Sequence, residues 1–220
     1  MEQAYIDILE KGIDQLVNAF MENPQNFYSE NDLHCELFYR LRRLGLNKPC
    51  KVRVGRKTVD STIIHRDYPT RGRYRRNRNG PSLKVQRGLR GSLDLSIWDP
   101  EITLKRQFER EGERDGQRTV AAVEINLNED YRRFQWQVYW DLLKLSDPMN
   151  EIENRYILFF LRDYPYKRYN FPEDGFLKTL NEMFQRESKT KIIYAERKRE
   201  EAQTWMISNT EFQEYQKLSG

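Results

Sequence analysis

The sequence predicts an α/β fold in which a mixed central β-sheet is flanked by helices. One observation is the alternation of helical and strand-like hydrophobic periods, in the order α-α-β-β-β-α-β-α-β. Another is the size of the chain, since 220 residues with 38% hydrophobic and 13% aromatic side chains suffice for a well-packed core. No internal repeat or low-complexity linker divides the chain. A single domain over residues 1–220 is therefore the simplest organisation.

The N-terminal part of the chain predicts two helices. Apolar residues recur at helical spacing over 3–22, and an Asn-Pro pair ends this first helix. Ser29 begins the second helix with Asp32 as its capping-box partner. An apolar stripe runs along this helix, and Gly45 closes it.

Strand-like segments dominate the middle of the chain. Residues 50–65 are rich in Val and Ile. Residues 89–98 and 119–127 alternate between apolar and polar side chains, which is typical of half-buried strands. In the first of these strands Leu93, Leu95 and Ile97 are predicted on one apolar face, and Trp98 on the opposite, polar face. The Arg-rich stretch 66–82 contains two Gly and two Pro residues, so we expect a loop or a distorted hairpin. A polar loop is expected over 109–118.

The C-terminal part predicts further helices and strands. A helix that begins at Asn128 or Asp130 and ends near Ser146 is followed by a strong strand over 155–161. The remaining expected elements are a helix over 173–186, strands over 190–195 and 204–208, and a final helix over 209–218. The predicted domain thus has a core over about 29–161, with the N-terminal helix before it and an α/β extension over 162–220.

Composition excludes several classes of protein. No run of 18 apolar residues exists, so we expect no membrane span, and the acidic N-terminus is unlike a signal peptide. Two cysteines cannot form a disulfide framework or a cysteine-based zinc site. The two histidines, His34 and His65, are too few for a multi-histidine site and are expected to be structural. Phosphate-loop and serine-hydrolase motifs are absent. A reducing, cytoplasmic setting is expected.

Charge is distributed unevenly along the chain. The whole chain carries +4, but residues 66–90, here called the basic strip, contain nine basic residues and one acid and carry +8. The remainder therefore carries −4. Eight of the nine bases are arginines, which suit bidentate contacts with phosphate, so we expect nucleic-acid contact rather than an ordinary solvated loop. The candidate phosphate-binding residues are Arg71, Arg73, Arg75, Arg76, Arg78, Arg87 and Arg90.

Two carboxylates lie on the polar faces of apolar strands. Asp94 lies in the strand 89–98, and Glu124 in the strand 119–127, with Asn126 on the same face because the strand period is two. A carboxylate in such a strand is costly unless it is paired or binds a cation. On neighbouring strands the two carboxylates form a hard-oxygen site suited to Mg²⁺ or Mn²⁺. The alternative is two solvated side chains on an open sheet face.

These two strands resemble the motif of the PD-(D/E)XK nuclease superfamily, which has the restriction-endonuclease-like fold. Gly-Ser-Leu-Asp94-Leu-Ser-Ile is followed about thirty residues later by Val-Ala-Ala-Val-Glu124-Ile-Asn126. The family carries an Asp at the end of one strand and Glu-x-Lys on the next, and it usually carries a Glu on the preceding helix. Glu30 fits this last position because it lies on the apolar stripe of its helix, whereas Glu36 faces solvent.

The resemblance spans roughly residues 29–161 and implies a metal-dependent nuclease that hydrolyses DNA phosphodiester bonds. Glu30, Asp94 and Glu124 are then the ligands of Mg²⁺ or Mn²⁺. Gln135 and Tyr139 have the Gln-x-x-x-Tyr spacing of the helicase-associated branch, although ordinary helix packing is the competing interpretation. The resemblance leaves open whether the protein works as a monomer, as a homodimer or in a larger complex.

Asn126 departs from the family pattern, because the motif has Lys at this position. Asparagine carries no charge and cannot act as a base near neutral pH. Three outcomes are open: catalysis uses metal-activated water alone, catalysis is lost while binding is kept, or another cation replaces the lysine. The candidates for that cation are Lys105, Arg90, Arg132 and Arg133. Lys144 is expected to be too distant, roughly 25 Å away at 1.5 Å per helical residue.

Two other classes of function remain open at this point. One is a catalytically inactive nucleic-acid-binding or complex-forming module that retains the nuclease fold, which Asn126 favours. The other is an interaction protein that binds no nucleic acid, in which case the basic strip has no salt-dependent partner.

Overall fold

A computed structural model describes residues 2–54, 57–77, 80–83, 89–99, 119–128, 131–162, 190–197, 202–208 and 211–214. The polar loop predicted over 109–118 and the helix predicted over 173–186 lie outside these residues. So do Arg78, Arg87 and Lys105.

Three α-helices are described, α1 at Glu2–Glu22, α2 at Glu30–Leu41 and α3 at Tyr131–Ser146. All three were predicted. The capping box at the start of α2 forms as expected, because Asp32 Oδ2 accepts a hydrogen bond from the Ser29 backbone N–H at 2.8 Å. After α2 a π-helical turn over Arg42–Leu46 ends the helical segment, and Gly45 within it has φ +110°, which glycine adopts readily.

In the part of the chain that the structure describes, ten strands follow the first two helices. They are β1 Pro49–Val54, β2 Lys57–Thr62, β3 Ile64–Asn77, β4 Gly80–Leu83, β5 Leu89–Trp98, β6 Thr119–Asn128, β7 Ile152–Arg162, β8 Thr190–Arg197, β9 Ala202–Ser208 and β10 Glu211–Glu214. Strands β1 and β2 form a separate antiparallel pair. In the described residues the other eight form one sheet in the order β10-β9-β8-β7-β6-β5-β3-β4. The pairs β6–β7 and β7–β8 are parallel and the rest are antiparallel, so the predicted mixed sheet is confirmed.

The sheet separates two hydrophobic cores. One core includes α1, α2 and the side chains of Ala121, Val123 and Ile125 from β6. The other includes α3 and Ala122 from the opposite face of β6. The alternation predicted for β6 is therefore confirmed. Within the described residues, no helix has both the length and the apolar character that crossing a membrane requires.

The single apolar face predicted for β5 is instead divided between the two cores. Leu95 and Ile97 lie in the core beneath α1 and α2, whereas Leu93 lies in the core beneath α3. Trp98, predicted on the polar face, is buried in the first core and stacks on His65 at a centroid distance of 3.5 Å. For Trp98 irregular pairing explains the difference, because the register between β5 and β6 shifts between Ile97 and Trp98. Leu93 lies beyond Leu95, the last residue of β5 that pairs with β6.

The helix predicted over 209–218 is wrong where the structure describes it. Glu211–Glu214 forms β10, which pairs antiparallel with β9 so that Phe212 lies opposite Ile207. Glutamate and glutamine favour helices, but the weak preference of a four-residue segment is overridden when a neighbouring strand offers backbone partners.

The distorted hairpin was one of the two alternatives for residues 66–82, and it is the one observed. Strands β3 and β4 pair antiparallel, with a register shift against β5 between Pro69 and Arg73. Five arginines of the basic strip belong to β3, and Arg90 in β5 lies opposite Arg73. The described part of the basic strip thus lies at the β4 edge of the sheet, next to the strand that carries Asp94.

Candidate active site around a buried lysine

The two predicted strand carboxylates lie where β5 and β6 separate. These strands pair from Trp98 opposite Thr119 up to Leu95 opposite Val123. Asp94 and Glu124 come directly after that last pair, one on each strand. The Ile125 backbone N–H donates a hydrogen bond to Asp94 Oδ2 at 2.7 Å. A side chain therefore continues the contact between the strands where backbone pairing stops.

Helix α2 adds two ionisable groups to this opening, Glu30 and His34, which are one helical turn apart. His34 Nε2 lies 3.3 Å from Asp94 Oδ2 and 3.4 Å from the Ile125 carbonyl oxygen. Both partners are acceptors, so Nε2 carries a proton. Glu30 accepts a hydrogen bond from the Leu127 backbone and lies close enough to Asp94 to feel its charge. The predicted orientation of Glu30 toward the sheet is confirmed.

Glu36 behaves as the sequence predicted for the solvent-facing side of α2. Its carboxylate pairs with Arg40 one turn later at 2.6 Å, and about a third of its side chain is exposed. Of these two glutamates of α2, Glu30 is therefore the one that lies near strands β5 and β6.

Lys144 lies in the site, and its predicted exclusion is wrong. Its Nζ is 2.7 Å from Glu124 Oε2 and 3.0 Å from Asp141 Oδ1, and it donates to the Ser92 carbonyl oxygen at 3.2 Å. The expected separation of 25 Å assumed that the helix leads away from the strand. Because β6 and β7 are parallel, α3 must run back alongside β6, and its last turn returns to the level of Glu124.

Asn126 also contacts α3. Its Nδ2 donates a hydrogen bond to Asp141 Oδ2 at 2.7 Å. The position where the family motif has a lysine is thus connected through Asp141 to the lysine of the helix. Asn126, Asp141 and Lys144 are buried together with Glu124. Their exposed fractions are 1% for Glu124, 4% for Asn126, 5% for Asp141 and 7% for Lys144.

Burial raises the pKa values of three carboxyl groups in the site, and neighbouring negative charges add to the effect. Burial is the largest cause for Glu124, whose pKa lies well above its usual range, and the charges of Asp94 and Asp141 add to it against the opposing effect of Lys144. Burial also raises the pKa of Asp141, against Lys144 and the Asn126 hydrogen bond. Burial and then the charge of Asp94 raise the pKa of Glu30.

The pKa shifts of Asp94, His34 and Lys144 favour their charged forms. Burial alone raises the pKa of Asp94, but His34, Lys144 and the Ile125 N–H outweigh it, so the pKa is lowered. Burial alone lowers the pKa of His34, but Asp94, the Ile125 carbonyl and Glu30 raise it on balance. Burial likewise opposes the charge on Lys144, but Glu124, Asp141 and Asp94 raise its pKa, so the ammonium stays protonated.

The side-chain oxygens of this site can be compared with the ligands that a divalent cation such as Mg²⁺ requires. Among the residues that the structure describes, no three His, Cys, Asp or Glu side chains form a ready metal cluster. Glu124 Oε1, however, is buried and has no hydrogen-bond partner in the described structure. A buried carboxylate oxygen without a partner is costly, and a hard cation or its bound water would satisfy it. The chemistry of the donors therefore fits Mg²⁺ or Mn²⁺.

Sequence reasoning missed three members of this site, namely His34, Asp141 and Lys144. A signal was present for the last two, because an aspartate and a lysine three residues apart lie among Val138, Leu142 and Leu145 on the buried side of α3. His34 follows Glu30 by four residues, which places both on one helix face. The second histidine, His65, lies against Trp98, and its Nε2 is 2.6 Å from the Thr62 carbonyl oxygen.

The other predicted residues lie elsewhere or outside the described side chains. Gln135, Tyr139, Arg132 and Arg133 belong to the first part of α3, and Arg90 to the first part of β5, where only the backbone is described. Their roles remain predictions.

The raised pKa of His34 makes the stability of the metal-free protein depend on pH. A raised folded-state pKa contributes stability that is complete below the unfolded value of about 6.5 and is lost as pH rises through the folded value. We therefore expect the advantage of the wild type over His34→Gln in free energy of unfolding to shrink from about pH 6 to about pH 9. Urea unfolding of both proteins in the presence of EDTA, repeated across this pH range, measures the difference in free energy of unfolding. An advantage that is constant or grows with pH would contradict the pairing with Asp94.

Comparisons of the chain with protein-family models, with curated proteins and with solved structures find no match. The functional argument therefore depends on the site itself.

Proposed function

We propose that this protein is a metal-dependent phosphodiesterase that acts on DNA, with the arrangement of a PD-(D/E)XK nuclease. The observation that carries the proposal is the burial of Lys144 against Glu124 and Asp141. Asp94 is close enough for its charge to raise the pKa of Lys144, and Glu30 is close enough to feel the charge of Asp94. The choice of DNA comes from the sequence resemblance.

The charge balance of the site favours a divalent cation. Four carboxylates are opposed by Lys144 and, when protonated, by His34, so the ionised site retains at least two negative charges. Burial is the largest cause of the raised pKa values of Glu30, Glu124 and Asp141, and the negative charge of Asp94 adds to each of them. A bound divalent cation compensates the same charge and releases protons from these groups.

Each residue has a distinct proposed role. Glu30, Asp94 and Glu124 hold the cation, which when bound polarises the phosphate and lowers the pKa of a bound water. Lys144 stays protonated, so it serves as a fixed positive charge beside the reacting phosphate and not as a base. It takes the part that the motif lysine plays in the family, because Asn126 cannot.

The basic strip supplies the proposed contact with the DNA backbone. Its described arginines belong to β3 and β5, and β5 is the strand that carries Asp94. Arginine contacts to phosphate give affinity without sequence choice and weaken steeply with salt.

A second candidate function is a catalytically inactive DNA-binding module. The observation that favours it is the saturation of Lys144, because all three hydrogens of its ammonium have an acceptor, one of them on Glu124. In this interpretation the lysine takes the place of the metal and permanently compensates part of the carboxylate charge.

Plasmid and oligonucleotide cleavage with Mg²⁺ or Mn²⁺ distinguishes the two candidates. We expect wild type to cleave and both Asp94→Asn and Glu30→Gln to lose cleavage.

At pH 7 the two variants should also differ in their free energy of unfolding, because the pKa of Asp94 is lowered and that of Glu30 is raised. Asp94→Asn should lower the free energy of unfolding, whereas Glu30→Gln should not.

Glu36→Gln is the matched control, since this residue lies on the same helix as Glu30 but outside the site. It should cleave like wild type. Absence of cleavage by wild type under both metals, together with DNA binding that Asp94→Asn leaves unchanged, would overturn the enzymatic proposal and favour the inactive module.

A further inference from the structure

The position of the Lys144 ammonium is determined by groups from three separate segments. Glu124 comes from β6, Asp141 from the preceding turn of α3, and the Ser92 carbonyl from β5. The lysine backbone is held as well, because Asn150 Nδ2 donates to the Lys144 carbonyl oxygen at 2.6 Å. A long side chain with several rotatable bonds is thus confined at both ends, which opposes its large rotamer entropy.

Asp141 is held in turn by Asn126. One carboxylate oxygen of Asp141 faces Lys144 at 3.0 Å, and the other accepts from Asn126 Nδ2 at 2.7 Å. With a partner on each oxygen, the carboxylate has its rotation restricted. Asn126 therefore acts on Lys144 through Asp141, without a direct contact of its own.

We propose that Asn126 and Asp141 are positioning residues that hold the Lys144 ammonium against Glu124. On this proposal, Asn126 is needed because the site uses the lysine on α3. It does not mark the loss of a lysine from position 126. The catalytic consequence rests on the proposed phosphodiesterase function, whereas the positioning itself can be measured without metal or substrate.

Simple electrostatics explains why neither charged residue suits position 126 while Lys144 is present. A lysine at position 126 would bring a second ammonium to Asp141 and repel the first. An aspartate at position 126 would place two carboxylates at hydrogen-bond distance in a buried site, where both cannot stay ionised. The amide donates one hydrogen bond and adds no charge.

The first test uses the ¹⁵N-labelled Lys144 ammonium as a spectroscopic reporter in the metal-free protein. A buried ammonium with three acceptors exchanges its hydrogens slowly and gives a resolved signal, which is assigned by its loss in Lys144→Met. In Asn126→Ala we expect that exchange to accelerate by roughly two- to tenfold, the effect of removing one hydrogen bond from the network.

Glu10→Gln provides the matched control, because it weakens a different lysine pair. Glu10 Oε1 accepts from Lys191 Nζ at 2.6 Å and from the Tyr156 hydroxyl at 2.9 Å, and α1 lies on the opposite side of the sheet from α3. This variant should leave Lys144 exchange unchanged. Equal acceleration in Asn126→Ala and Glu10→Gln would show a general loss of stability and overturn the proposal.

The second test moves the lysine. We expect Asn126→Lys and Lys144→Met each to lower the denaturation midpoint, and the double variant to unfold at a higher denaturant concentration than Lys144→Met alone. The lysine at position 126 then compensates Asp141 without a competitor. Strictly additive losses would overturn the proposal. Neither test requires cleavage, so failure of the phosphodiesterase proposal would be seen separately in the plasmid assay.

Discussion

Replacing Lys144 with methionine is expected to lower the free energy of unfolding by about 3–5 kcal/mol near pH 7. The ammonium faces two buried carboxylates, and its removal leaves both without their compensating charge. Methionine keeps much of the length and apolar surface of the lysine stem, so the loss reports charge more than packing. Chemical denaturation monitored by circular dichroism measures it.

Lys191→Met is the matched control. Lys191 also pairs with a glutamate at 2.6 Å, but 43% of its side chain is exposed, so its loss should cost less than about 1 kcal/mol. An equally small cost for Lys144→Met would contradict a buried lysine among carboxylates.

The pH dependence of the Lys144→Met defect follows from the raised pKa values of Glu124 and Asp141. Without the ammonium, burial acts unopposed and raises both pKa values further. The folded variant therefore binds protons at a higher pH than folded wild type does. The stability deficit should be largest near about pH 8 and should shrink toward about pH 5 as these groups become neutral.

Glu124→Gln is expected to lower the cleavage rate by about 10²- to 10⁴-fold and to weaken Mn²⁺ binding. Glu124 has one oxygen on Lys144 and one buried oxygen with no partner among the described residues, and that second oxygen is the one available to a cation or its water. Glutamine keeps the shape but replaces an acceptor-only carboxylate by an uncharged amide. Single-turnover cleavage and calorimetric titration with Mn²⁺ measure the two effects.

Glu196→Gln tests whether any buried strand glutamate has the same effect. Glu196 is 4% exposed on β8, and the Tyr194 hydroxyl donates to it at 3.1 Å. This variant should keep Mn²⁺ affinity and cleavage. If Glu196→Gln and Glu124→Gln lower activity equally, the specific role proposed for Glu124 is wrong.

The alternation in β6 shows how far periodicity reaches. Apolar residues at every second position predicted that Glu124 and Asn126 share one face, and both do contact α3. Helical periodicity likewise separated Glu30 from Glu36 on α2. Local patterns succeed here because the face of a residue depends only on the period of its own element.

The same reasoning failed where partners come from distant segments. In β5, a register shift against β6 precedes Trp98, and Leu93 lies beyond the last residue that pairs with β6, so neither residue is on its predicted face. In β10, an adjacent strand outweighed the helix preference of glutamate and glutamine. Neither neighbour is visible in the local sequence.

Sequence alone was sufficient for the α/β class, the helices α1, α2 and α3, and the strand carboxylates Asp94 and Glu124. Those features depend on composition and on short periods within one element. Tertiary structure was required to place Lys144, because eighteen residues of separation from Asn126 become a shared site only when α3 folds back along β6. The parallel pairing of β6 and β7 imposes that return, and it brings a lysine from the helix to the strand that carries Asn126.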